Sequence, residues 1–122
     1  MRLLLTRSFL RDATKEGITD EGCREAVRKA ERGLIDADLG KGLIKQRIAR
    51  GSRGAAKGSR AIVFYRRGHL AVFLHVFAKS RKANLTKSEL AGYQQAAQHY
   101  AKLTDEQLDA LSATQGWKAL DT

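Results

Sequence analysis

Residues 61–78 read AIVFYRRGHLAVFLHVFA, and the fold is decided there. Ala61 to Tyr65 and Leu70 to Ala78 are two runs rich in β-branched and aromatic residues, the types that fit a pleated, half-buried surface. Arg66, Arg67, Gly68 and His69 join them in a link short enough for a hairpin, with Gly68 able to take a positive φ. The second run barely alternates, so it is expected to be a central strand covered on both faces.

Working outward, residues 43–49 alternate with a period of two. Ile44, Gln46 and Ile48 take one face, and Lys45 and Arg47 take the other. Three antiparallel strands in a meander follow as the economical arrangement. Between the first two, residues 50–59 carry Gly51, Gly54 and Gly58 together with Arg50, Arg53 and Lys57, a cationic loop long enough to act as a phosphate-gripping flap.

Helical patterns flank this centre. A short strand over residues 2–6 precedes a helix from Arg7 to Glu16, stopped by Gly17. Thr19 is placed to cap the next helix, with Asp20 and Glu21 in its first turn and Ile18 and Cys23 spaced as a hydrophobic staple. Cys23, Ala26, Val27, Ala30 and Leu34 form its apolar stripe, and Gly33 is expected to cap it. Thr86 with Glu89 and Thr104 with Gln107 read as two capping boxes that open C-terminal helices, and the tail around Trp117 is suited to a further short strand.

At 122 residues the chain is expected to be one domain, residues 1–122, with one core. Its single cysteine cannot form an internal disulfide, which points to a reducing, cytoplasmic setting. The first residues lack the apolar run of a signal peptide or membrane span, so no membrane partner is expected.

The formal charge is +10, and its placement is uneven. From Leu39 to Ser88 there are thirteen basic residues and no acid, whereas the rest of the chain holds ten bases and thirteen acids. Ordinary surfaces intersperse both signs, so the asymmetry points to a polyanionic partner.

Several chemistries find no support. His69, His75 and His99 are scattered and offer no metal-ligand spacing. GSRGAAKGS lacks the gap of a phosphate-binding loop and joins strand to strand. A Ser/His/Asp triad would need an acid that the strand region does not hold. No metal, cofactor or small-molecule ligand is expected. His75, in an apolar strand, reads as a satisfied core histidine, His69 as exposed at the hairpin tip, and Tyr65 as a packing residue.

What remains is a cationic cluster. In the meander the end of each strand lies beside the start of the next, so Lys45 and Arg47, then Arg60, then Lys79, Arg81 and Lys82 are expected to converge at one end of the sheet. Gathered there, they would hold a phosphodiester and offset the charge that develops when a ribose 2′-hydroxyl attacks it.

The order of these parts resembles the RelE-type toxins of bacterial type II toxin–antitoxin systems. The likeness runs from about Ile18 to Leu108, and its more specific parts are GLIDADLGKGLIKQRIAR and the strand ending FAKSRKANLT. The resemblance implies an α+β fold, a small antiparallel sheet of three to four strands flanked by N-terminal and C-terminal helices. It also implies a cognate antitoxin as partner, and an endoribonuclease that cuts messenger RNA in the ribosomal A site.

On that analogy Lys45 and Arg47 match the basic pair of the active-site strand, Arg60 the arginine opening the next, and Lys79 and Arg81 the basic segment after the last. Where some members carry a catalytic tyrosine this chain has Asn84-Leu85-Thr86. Lys45 or Lys79 is then the candidate base, with Arg47, Arg60 and Arg81 on the phosphate and a 2′,3′-cyclic phosphate as product. Arg50, Arg53, Lys57 and Lys82 are assigned to RNA binding. Two alternatives stay open: a non-enzymatic ParE-like inhibitor of DNA gyrase, and a plain nucleic-acid-binding module.

Overall fold

The computed structural model describes residues 1–49, 58–82 and 84–121, so Arg50, Arg53 and Lys57, read above as a cationic flap, lie outside the described residues. Among the described residues the chain forms β1 (Arg2–Leu5), α1 (Arg7–Glu16), α2 (Asp20–Glu31), β2 (Ala37–Gly40), β3 (Leu43–Ile48), β4 (Ser59–Arg66), β5 (Leu70–Ala78), α3 (Lys87–Ala101), α4 (Asp105–Gln115) and β6 (Lys118–Leu120).

These strands make one six-stranded sheet in the order β2-β3-β4-β5-β1-β6. The expected meander is its centre: β3 pairs antiparallel with β4, and β4 with β5. The expectation of three to four antiparallel strands is corrected on two counts, because the sheet is larger and it is mixed. β1 lies parallel to β5, with Arg2 opposite Leu70 and Leu5 opposite Phe73. β1 and β6, with four and three residues, are the short strands expected at residues 2–6 and near Trp117, whereas β2, with four, is not foreseen. The places of β1 and β6 come from pairing with distant strands, and that of β2 from a hairpin with β3.

Helices cover both faces. On one side Phe9 and Ala13 of α1 and Cys23, Ala26, Val27 and Ala30 of α2 pack on Leu3, Leu5, Ile44, Ile48, Val63 and Phe73. On the other, Tyr93, Ala97 and Tyr100 of α3 and Leu108 of α4 pack on Leu4, Leu43, Ile62, Phe64, Val72 and Phe77. β5 is thus covered on both faces, as its lack of alternation predicts, and adjacent Val72 and Phe73 are both fully buried. Each such side chain contributes roughly 1.5–3 kcal/mol through burial. Burial also raises the Cys23 thiol to about 12, so it stays protonated.

The helix ends follow the sequence reading. Thr19 accepts a backbone N–H as N-cap, Gly17 ends α1 in the left-handed region, and Thr86 and Thr104 each form a full capping box, while Thr6, expected in the strand, is the N-cap of α1. The α2 stripe is shorter than expected. The helix stops at Glu31, Gly33 turns the chain at φ 82, and Leu34 leaves the stripe to stand 58% exposed. A register shift between β4 and β5 makes Leu74 an extra residue, since Ile62 faces His75 while Val63 faces Phe73. His75 stacks on Tyr93 and its Nδ1 lies 3.1 Å from Asp12, which satisfies the ring between α1 and α3. No helix among the described residues is long and apolar enough to cross a membrane.

Candidate functional site

The alternation of β3 decides which side chains reach the site. Ile44 and Ile48 point at α2, so Lys45 and Arg47 point at the opposite face, and Arg47 pairs across the ladder with Arg60. Two guanidinium groups directly opposite each other repel, and Lys45 on the same face adds to the strain. A carboxylate resolves this. Asp36, just before β2, has Oδ1 at 3.3 Å from Arg47 Nε, and Oδ2 at 3.3 Å from Arg60 Nε and 3.9 Å from Lys45 Nζ.

The three cations differ in exposure. The Arg60 side chain is only 4% exposed, Asp36 and Lys45 are each 18% exposed, and Arg47 is 53% exposed. A buried guanidinium requires an anion, so Arg60 and Asp36 form the inner pair and Arg47 the outer arm. Lys45 also donates to Asn84 Oδ1 at 3.0 Å. Asn84 is therefore a contact of the cluster.

Asp36 is held from the sheet side by Gln46. The amide Nε2 of Gln46 donates to the carbonyls of Ala26 and Leu34, both at 2.9 Å, and its Oε1 accepts the backbone N–H of Asp36 at 3.1 Å. Gln46 is 3% exposed, and these three bonds explain a polar residue between Ile44 and Ile48 on the α2 face. The hairpin between β2 and β3 completes the placement. Lys41 at φ 59 and Gly42 at φ 83 occupy its two-residue loop, the paired positive φ of a type I′ turn. At Gly42 a Cβ would also come within 2.8 Å of the Phe64 ring.

The remaining predicted cations are placed differently. Arg81 pairs with Glu16 at the end of α1, and Glu16, nearly buried, also accepts Ser59 Oγ at 3.4 Å. Lys82 pairs with Glu89 in the first turn of α3, and its ammonium lies 5.9 Å from the Phe77 ring centre. The Lys82 ammonium and then the Thr86 backbone N–H hold the Glu89 carboxyl down at about 2. Lys79 is exposed just past β5. The structure thus brings Lys45, Arg47 and Arg60 together on one carboxylate and gives Arg81 and Lys82 carboxylates of their own.

Asp36 is the residue the sequence reading missed. It lies just outside the acid-free window, and the signal that locates it is the Gly40-Lys41-Gly42 turn, which folds it back onto β3. Next to it a groove of about 380 Å³ is lined by Lys29, Leu34, Ile35, Asp36, Gln46 and Arg47.

The family described as the RelE toxin of the RelE/RelB toxin–antitoxin system matches residues 1–119. No curated protein matches the chain.

Proposed function

The chain belongs to the RelE toxin family, and from that premise we propose that it is a ribosome-dependent endoribonuclease that cuts messenger RNA. As a toxin of a toxin–antitoxin system it has an antitoxin as partner. The observation that carries the catalytic reading is the meeting of Lys45, Arg47 and Arg60 on one carboxylate, which leaves surplus positive charge around a seat the size of one anion.

Arg47 and Arg60 grip the non-bridging oxygens of the scissile phosphate and stabilise the charge that grows on them during attack. The ribose O2′ forms a bond to phosphorus as the P–O5′ bond breaks, leaving a 2′,3′-cyclic phosphate. Lys45, turned toward Asn84 and Asp36, is the group set to give a proton to the departing O5′. Lys79, just past the end of β5 at Ala78 opposite Ser59, is the candidate base for the proton of the 2′-hydroxyl. Arg50, Arg53 and Lys57 hold flanking phosphates, as do Arg81 and Lys82, for which that role tolerates pairing with Glu16 and Glu89.

The test is induction of the protein in cells with mapping of message 5′ ends, beside an Arg47→Ala/Arg60→Ala double variant. Cuts within translated messages that vanish in the double variant are expected. Intact messages with DNA damage would sink the nuclease in favour of gyrase poisoning. Salt-sensitive RNA binding without strand cleavage would leave a plain binding module.

A further inference from the structure

We infer that Asp36 occupies the seat of the scissile phosphate in the RNA-free protein, so that RNA enters by exchange of one anion for another and free RNA is turned away. The inference rests on the nuclease reading for its substrate, but its physical content concerns binding alone.

The geometry is that of a stand-in. A phosphodiester carries one negative charge and presents two non-bridging oxygens. Asp36 carries one charge, its Oδ1 meets Arg47, and its Oδ2 meets both Arg60 and Lys45. Arg60, with a side chain 4% exposed, cannot be stripped of its anion without a large desolvation cost, so the phosphate must arrive as the carboxylate leaves.

The exit is built in. The backbone N–H of Asp36 stays bonded to Gln46, so only side-chain rotation is needed. The neighbouring groove offers Lys29 as a new counter-charge, with the exposed Arg47 at its rim.

The consequence is selectivity. An intramolecular carboxylate competes at high effective concentration, so a short free RNA displaces it poorly. An RNA held by many other contacts, as on a ribosome, supplies the remainder. Asp36 is therefore a specificity-determining residue that opposes binding of loose RNA.

The experiment measures anisotropy of a labelled single-stranded 2′-O-methyl oligoribonucleotide, which binds but cannot be cut, on the wild type and on Asp36→Asn. The variant is expected to bind about tenfold tighter, with a salt dependence steeper by roughly one phosphate contact. Equal or weaker binding by a folded Asp36→Asn would overturn the exchange while leaving the nuclease reading intact. If neither protein cuts translated message yet Asp36→Asn binds tighter, the exchange stands and the nuclease reading falls. Should Asp36→Asn fail to fold, carboxylate carbon-13 signals of the wild type decide. The Asp36 signal must shift as the oligonucleotide saturates the protein, and an unmoved signal overturns the exchange.

Discussion

Two groups of cations sit at the same end of the sheet, and they are neutralised in opposite ways. Arg81 and Lys82 each have a carboxylate, Glu16 and Glu89, and each pair ties a helix to the end of β5. Lys45, Arg47 and Arg60 share Asp36. One-to-one pairing makes a structural tie that leaves little charge over for another anion. Three-to-one sharing leaves charge over, and the proposed seat for a phosphate rests on that surplus. A count of basic residues cannot separate the two groups, whereas the distribution of carboxylates does.

The largest expected effect tests the shared group. Arg60→Ala should lower the rate of cleavage of ribosome-bound message by about 10²–10³-fold, the usual cost of removing one donor to developing charge. Arg81→Ala should change it by no more than about threefold if its guanidinium only holds flanking phosphate. Equal losses in the two variants, measured by primer extension over a time course, would erase the distinction.

Next comes the paired group, where the effect belongs to stability. Glu16→Ala removes a nearly buried acceptor from Ser59 and Arg81 and should cost roughly 1–3 kcal/mol in urea unfolding, with cleavage retained. A smaller change is expected at the edge of the shared group. Asn84→Ala takes one hydrogen bond from Lys45 and should slow cleavage by less than about tenfold, measured as a single-turnover rate.

The smallest is a pH effect on the Lys82–Glu89 tie. The Glu89 carboxyl is held at about 2 in the folded chain, below its ordinary 4.5, so its stabilisation is complete above 4.5 and drains away as pH falls toward 2. The stability gap between wild type and Glu89→Gln should therefore be full at neutral pH and close in acid. A gap that persists at the acid end in parallel unfolding curves would show that the tie does not depend on the carboxylate.

Much of this was readable in the residues themselves. Alternation over β3 put Lys45 and Arg47 opposite the core, and the unbroken apolar run of β5 announced a strand with two covered faces. Local hydrogen bonding fixed the caps at Thr19, Thr86 and Thr104. These features depend on neighbours within a few positions. The position of β1 between β5 and β6, and the choice of Asp36 as counter-ion, depend on which distant segments the packed sheet brings together. Gln46 falls between the two cases: its face was predictable, but its task of holding Asp36 was not.

The place of β1 also constrains the order in which the molecule can be assembled. The hairpins β2–β3 and β4–β5 close between consecutive strands, so the cationic half of the sheet can form while the chain is still being made. β1 depends on Leu70 to Phe73 for one neighbour and on Lys118 to Leu120 for the other. The cationic half of the sheet thus closes over short sequence separations and the opposite side over long ones. Damage to β1 or to β6 should open one and the same seam.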